Sequence, residues 1–194
     1  MEAAINAALS NSSSSSADVR GLVYAIGSIP LKPLKSTTYQ DFLDTYNVNF
    51  ASAALAIKAA APALTTMATT TKRPSSIVLF SSIAASVGFP NHTAIASTKG
   101  AIEAYVRSSA AELSPHIRIN AIAPSLTDTP LASRLLSSEA MKQSLGQAHP
   151  IPRVGTMADM SNISSFLLDN EQSGWITGQI IHVDGGRSTV RPKN

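Results

Sequence analysis

Four short apolar runs recur along the chain, at residues 21–26, 77–80, 117–122 and 179–183. The first run, residues 21–26, is continuous and does not alternate with polar residues. That pattern is typical of strands covered on both faces, as in a parallel sheet. The four runs therefore predict four strands.

Helix-favouring stretches fill the intervals between these runs. Residues 36–41 form an N-cap signal, and the Ala-rich segment 42–66 predicts a helix that Pro62 kinks. Further helices are predicted over residues 92–113 and 157–168, and two short ones over 131–147, while the polar segment 69–74 predicts a loop.

Strand and helix thus alternate, which predicts an α/β fold built from parallel βαβ units with right-handed crossovers. Ligands of such sheets bind at the carboxyl ends of the strands. We therefore expect the chemistry to lie just after Ile26, Phe80 and Ile122. Residues 21–194 are assigned to this domain, and residues 1–20 to a remnant helix followed by a Ser-rich linker.

Composition narrows the function classes. The 194 residues are 44% hydrophobic and carry a net charge of +3, with scattered Lys and Arg and few aromatic side chains, which does not favour a nucleic-acid partner. The chain has no cysteine, and no metal site is predicted. No apolar run reaches the roughly 18–20 residues of a membrane span, and no signal peptide is expected. We expect a cytoplasmic protein.

Polar residues follow the second and third predicted strands. Ser81 and Ser82 come directly after Phe80, and Lys99 lies one helical turn beyond Ile95 in an otherwise apolar helix. After Ile122 come Pro124 and the hydroxyls of Ser125, Thr127 and Thr129. These hydroxyls either grip an amide or phosphate, or form a polar turn with a helix cap.

Together these segments resemble the short-chain dehydrogenase/reductase family. The resemblance rests on the Ser82-x12-Ile95-x3-Lys99 spacing and on the closing residues 177–186, Thr-Gly-x4-Val-Asp-Gly-Gly. It covers residues 21–189 and implies a Rossmann-like doubly wound parallel sheet, here without the first βαβαβ half. It also implies an oxidoreductase that uses NAD or NADP on a small carbonyl or alcohol substrate and assembles as a homo-oligomer.

The resemblance also implies roles for single residues. Asn49 would hold a helix distortion and a water, Ser82 would bind the substrate oxygen, and Lys99 would bind the nicotinamide ribose. Gly27, Pro124, Thr127 and Thr129 would lie beside the cofactor, and residues 127–147 would form a substrate lid. The apolar side chains of this lid predict an apolar substrate face: Leu131, Leu135, Leu136 and Met141.

Two departures from the family pattern change the expected chemistry. Ile95 stands where the family has its catalytic tyrosine, and isoleucine has no proton to transfer. His92, three residues earlier, and Tyr24, near the end of the first strand, are candidate substitutes; alternatively, His92 is a solvated helix-start residue and Tyr24 a core aromatic.

The second departure is the absence of the glycine-rich turn Gly-x3-Gly-x-Gly that cradles the pyrophosphate. The strand at 21–26 is therefore expected to form an apolar sheet edge. An incomplete gene product, a second chain that supplies the missing half, and a non-catalytic scaffold all account for this. Two functions follow: an NAD(P)-dependent oxidoreductase, or a catalytically silent homologue that acts as a binding or oligomerisation module.

Overall fold

A computed structural model describes residues 19–191, and these contain a four-stranded parallel sheet. The strands are β1 (Gly21–Tyr24), β2 (Ser75–Phe80), β3 (Ile117–Pro124) and β4 (Ile180–Val183), in the spatial order β1-β2-β3-β4. The α/β fold and its parallel sheet are therefore confirmed. β1 forms one edge of this sheet, as expected, and Val23 in it is partly exposed. Predictions for residues 1–18 lie outside the described part of the chain.

Helices cover both faces of the sheet. They are α1 (Tyr39–Tyr46), α2 (Ser52–Thr71), α3 (Thr93–Leu113), α4 (Glu139–Gly146), α5 (Met157–Leu168) and α6 (Asn170–Ser173). A π-helical turn (Asn47–Ala51) joins α1 to α2, and 3₁₀ turns occupy Leu34–Ser36, Ile83–Ala85 and Pro130–Ala132.

Two apolar layers hold these elements together. Side chains from α2 and α3 pack on one face of the sheet, where Leu64 and Val106 have no exposed surface. On the other face, α5 packs Leu167 against Val78 and Ile122. Every residue of β2 except Phe80 is buried, which explains why its residues 77–80 form a continuous apolar run.

Several boundaries differ from the sequence prediction: β2 begins at Ser75 instead of Ile77, and β3 continues to Pro124. β1 ends at Tyr24 instead of Ile26, and α2 continues through Pro62 and five residues past Thr66. The hydroxyls of Thr69, Thr70 and Thr71 each donate to the carbonyl four residues earlier, so this polar stretch satisfies itself inside a helix. Lys72, with φ of 55°, then ends the helix in the left-handed conformation.

Among residues 19–191, the continuous helical stretch Tyr39–Thr71 is long and apolar enough to cross a membrane by length and composition alone. Its inner face includes Ala53, Ile57 and Leu64, each at most 2% exposed in the core beneath the sheet. These contacts with the sheet are those of a core helix in a layered α/β domain.

A buried arginine ties the last third of the chain to β3. The Arg118 guanidinium donates to the carbonyls of Leu167 (3.1 Å) and Ile176 (3.2 Å) and to the side chains of Asn170 (2.9 Å) and Ser173 (3.3 Å). Burial lowers the pKa of Arg118, and the nearby Asp169 carboxylate partly offsets this. One side chain thus satisfies four acceptors around α6.

We expect Arg118→Met to lower the free energy of unfolding by about 2–4 kcal/mol, because buried acceptors lose their donor. Urea unfolding followed by far-UV circular dichroism measures this. The control is Arg73→Met, since Arg73 pairs with Glu171 near the same helix in an exposed ion pair. That change is expected to cost under about 1 kcal/mol. Equal costs for the two variants would contradict the assigned role of Arg118.

Candidate functional site

A cleft of about 960 Å³ opens where β1, β2 and β3 end. Its lining contains all the residues that the sequence nominated for catalysis or cofactor binding except the candidate proton donor Tyr24: Gly27, Asn49, Ser82, His92, Lys99, Pro124, Thr127 and Thr129. The parallel register explains this convergence, because Phe80 lies opposite Ile122 at the same edge of the sheet. The structure therefore brings these residues together; their individual roles stay predictions.

Asn49 forms hydrogen bonds that connect the segment after β1 to the helices. It lies in the π-helical turn and is 1% exposed. Its Oδ1 accepts from the Ser28 backbone N–H (3.1 Å), and its Nδ2 donates to the Thr45 carbonyl (3.0 Å) and the Ser28 hydroxyl (3.1 Å). A Cβ atom at Gly27 would come within 2.8 Å of Asn49 Oδ1, so this close approach requires glycine.

Lys99 reaches the cleft from α3. The residue is 8% exposed, and its Nζ donates to the Phe80 carbonyl at 2.9 Å. Burial lowers the pKa of Lys99 to about 8, because the apolar surroundings disfavour the ammonium. The Lys99 ammonium is therefore held at the carbonyl end of β2.

The two serines after β2 have different surroundings. Ser81 is buried and its hydroxyl donates to Glu103 on α3 at 2.8 Å. Ser82 lines the cleft, and its Oγ accepts from the Ala84 backbone N–H at 3.2 Å. The Ser82 hydroxyl proton is thus available to a ligand in the cleft.

The two candidate substitutes for the missing tyrosine, Tyr24 and His92, have different surroundings in the structure. Tyr24 is 6% exposed, lies outside the cleft lining and donates its hydroxyl to Ser52 at 2.6 Å, so it is a core aromatic. His92 lines the cleft beside Ile95 and is only partly buried. Its Nδ1 lies 2.7 Å from the Pro90 carbonyl, which can only accept, so Nδ1 carries a proton and Nε2 is left as the acceptor in the neutral ring.

The segment after β3 is held by its own hydrogen bonds. Thr127 Oγ1 donates to the Ser125 carbonyl at 3.0 Å, and the Asp128 backbone N–H donates to the Gly155 carbonyl at 2.8 Å. These contacts match the polar-turn interpretation of the hydroxyl-rich sequence, while Thr127 and Thr129 still line the cleft.

Electrostatically the cleft is a cationic site. Its described lining includes Lys99 and Arg187 but no carboxylate. The Arg187 guanidinium lies 5.1 Å from the centroid of the Phe89 ring, a cation–π contact that holds it at the cleft. Sequence analysis missed Arg187, which reads as part of a basic tail, although it directly follows the Gly-Gly of the closing motif.

The fold and the site together define a class: parallel α/β proteins with a ligand cleft at the carboxyl edge of the sheet. The profile of the family described as enoyl-(acyl carrier protein) reductase matches residues 1–188. The chain belongs to this family of short-chain dehydrogenases/reductases.

Curated relatives agree with that assignment. A tropinone reductase homolog from Arabidopsis thaliana is 39% identical over 166 residues, covering 85% of this chain and 61% of the relative. Carbonyl reductase [NADPH] 2 from Sus scrofa is 31% identical, covering 80% and 62%. The chain thus spans about three fifths of the length of these two relatives. A protein named inactive 2-(S)-hydroxypropyl-CoM dehydrogenase 2, from Xanthobacter autotrophicus, is 30% identical, covering 97% and 82%.

Solved structures show the same fold. The aldohexose dehydrogenase of Thermoplasma acidophilum superimposes with a TM-score of 0.86 at 27% identity, covering all of this chain and 77% of that chain. ElxO with NADP bound superimposes with a TM-score of 0.84, also at 27% identity, covering 97% and 75%.

Burial of Lys99 predicts a specific pH dependence of stability. Its pKa is about 8 in the folded protein and 10.5 in the unfolded chain, so the unfolded chain binds more protons between these values. The free energy of unfolding of the wild type, relative to Lys99→Met, is therefore expected to rise by roughly 3 kcal/mol between neutral pH and the upper value.

Denaturant melts at stepped pH values measure this difference. Lys58→Met removes an exposed lysine from α2 and serves as the matched control. A difference between wild type and Lys99→Met that does not change with pH would show that the Lys99 ammonium is not desolvated.

Proposed function

We propose that this chain forms the substrate- and nicotinamide-facing part of an NAD(P)-dependent oxidoreductase that acts on a carbonyl or alcohol group. One observation carries the proposal. A buried lysine, a cleft-facing serine and a buried asparagine in a π-helical turn meet in one cleft: Lys99, Ser82 and Asn49. This arrangement unites a cation, a hydroxyl donor and an amide at the place where parallel sheets bind ligands.

The residues of the cleft fit the nicotinamide half of NAD or NADP. The side-chain-free position at Gly27 leaves room beside Lys99 Nζ, which lies 3.8 Å from where a Cβ would be. The Lys99 and Arg187 cations suit an anionic cofactor, and no described carboxylate in the lining opposes it. Pro124, at the end of β3, and Thr127 and Thr129, which follow it, also line the cleft. The relatives named above include one whose name specifies NADPH and one with NADP bound.

A bound nicotinamide would supply or accept the hydride. This chain would bind the substrate oxygen and would supply or accept the proton. Ser82 donates a hydrogen bond to the substrate oxygen, and the Lys99 ammonium lowers the energy of negative charge that develops there. Asn49 keeps Gly27 and Ser28 in position. His92 is the proton donor in this proposal: it lines the cleft next to the apolar Ile95, and its imidazolium form donates from Nε2, since the Pro90 carbonyl holds Nδ1–H.

We expect a substrate that carries an apolar group next to its carbonyl. Leu131 and Leu135 from the predicted lid line the cleft, together with Met157 of α5, and all three are at least 40% exposed. Leu136 and Met141 are not among the lining residues. These side chains would gain buried apolar surface on contact with an apolar substrate.

Nucleotide binding tests the first requirement of this proposal. At 100 times its Kd, a bound nucleotide is expected to add about 2.7 kcal/mol of stability, seen as a higher melting temperature with NADH or NADPH. Lys99→Met is expected to reduce this shift and Lys58→Met to preserve it. Identical melting curves with and without both nucleotides would contradict the proposal.

A second candidate is a catalytically silent homologue that assembles through its helices. Ile95 is 2% exposed and fills the position of the family's tyrosine with an inert side chain. The Xanthobacter relative that covers 97% of this chain is itself named inactive. Exposed apolar side chains on α1 and α2, Tyr39, Tyr46 and Leu55, suit assembly into a homo-oligomer.

Two variants distinguish the candidates. With NADPH and an apolar aromatic aldehyde, Ile95→Tyr is expected to raise the rate of NADPH oxidation at least about 10²-fold, the contribution of one positioned acid. His92→Ala is expected to lower the rate in the wild-type background and to leave the Ile95→Tyr rate unchanged. If neither variant alters the rate although NADPH binds, the silent homologue is the better description.

A further inference from the structure

Ser125 and His149 form a pair that neither the proposed oxidoreductase chemistry nor the family resemblance uses. Ser125 follows Pro124 at the end of β3 and lines the cleft. His149 lies behind it, 5% exposed and outside the cleft lining. The Ser125 Oγ and His149 Nε2 atoms are 2.8 Å apart.

The backbone sets the tautomer of His149. Its Nδ1 lies 3.2 Å from the Gly146 carbonyl oxygen, which can only accept a hydrogen bond. Nδ1 therefore carries the proton in the neutral ring, and Nε2 accepts from the Ser125 hydroxyl. A nucleophile bonded to a base, with the base oriented by a third group, is the arrangement that activates serine.

The orienting group can also stabilise the charged form of the base. Gly146 is the last residue of α4, and carbonyls at a helix C-terminus carry partial negative charge. An imidazolium that forms at His149 during reaction is thus partly compensated in its buried position. A carboxylate fills this place in many serine enzymes.

We propose that Ser125 and His149 act as a nucleophile–base pair, which enables this cleft to catalyse acyl transfer from esters or thioesters with an apolar acyl group. The acyl group would lie against apolar side chains that line the same cleft as Ser125, among them Leu126, Leu131 and Leu145. The cationic lining, which includes Lys99 and no described carboxylate, favours the negative charge that develops on the acyl oxygen.

The proposed reaction passes through an acyl-serine. Ser125 Oγ bonds to the acyl carbon and its proton passes to His149 Nε2. The bond from the acyl carbon to the alcohol or thiol breaks, and the departing group takes the proton from Nε2. Water then attacks the acyl carbon while His149 Nε2 accepts one of its protons. The bond from the acyl carbon to Ser125 Oγ breaks, Nε2 returns the proton to Oγ, and the carboxylic acid leaves.

Hydrolysis of p-nitrophenyl butyrate by the purified chain tests this proposal without any nucleotide. Ser125→Ala is expected to lower the hydrolysis rate by about 10²-fold or more, and His149→Gln by a similar factor. Ser165→Ala removes a hydroxyl from the same cleft and leaves the Ser125–His149 hydrogen bond intact, so it should keep the wild-type rate. Melting curves establish that each variant is folded.

Covalent labelling provides a second readout that does not depend on a folded His149 variant. A fluorophosphonate probe is expected to label the wild type and Ser165→Ala at Ser125, as located by peptide mass spectrometry, and to leave Ser125→Ala unlabelled. Hydrolysis that persists in Ser125→Ala, a label on another serine, or neither hydrolysis nor labelling in the wild type would each overturn the proposal.

Discussion

The parallel pairing of β2 with β3 places Phe80 opposite Ile122, and the cleft is built outward from these two strand ends. Both strands are buried, so they can be displaced only at the expense of apolar contacts on two faces of the sheet. Because α3 returns along the same face, the Lys99 ammonium reaches the Phe80 carbonyl at 2.9 Å. The Phe80 carbonyl thus partly compensates the burial of the Lys99 ammonium.

The chemistry of the cleft depends on which groups can exchange a proton. Ile95, in the first turn of α3, has no proton to exchange. Two imidazoles belong to the cleft or its immediate surroundings: His92 in the lining and His149 behind Ser125. In both rings a backbone carbonyl holds Nδ1, so Nε2 is the nitrogen that can accept a proton. The oxidoreductase and acyl-transfer proposals therefore invoke different imidazoles in one apolar, cationic cleft.

Local signals in the sequence located most elements, because they involve neighbours along the chain. The N-cap signal at residues 36–41 corresponds to a capping box between Thr38 and Asp41, and α5 spans the predicted residues 157–168. The end of α2 was mispredicted because the local signal there differs from what packing imposes. A run of threonines reads as a loop by propensity, yet their hydroxyls bond to carbonyls one turn earlier once packing against the sheet holds the helix.

By itself, the sequence determined the alternation of strands and helices and, through the family resemblance, which residues line the cleft, since these follow strand ends that a parallel sheet must align. Only the tertiary structure decided that Tyr24 lies in the core, that Arg187 joins the cleft and that His149 contacts Ser125. It also decided the lowered pKa of Lys99. The physical reason is that such contacts and desolvation depend on distances through space between residues far apart along the chain, which no local pattern records.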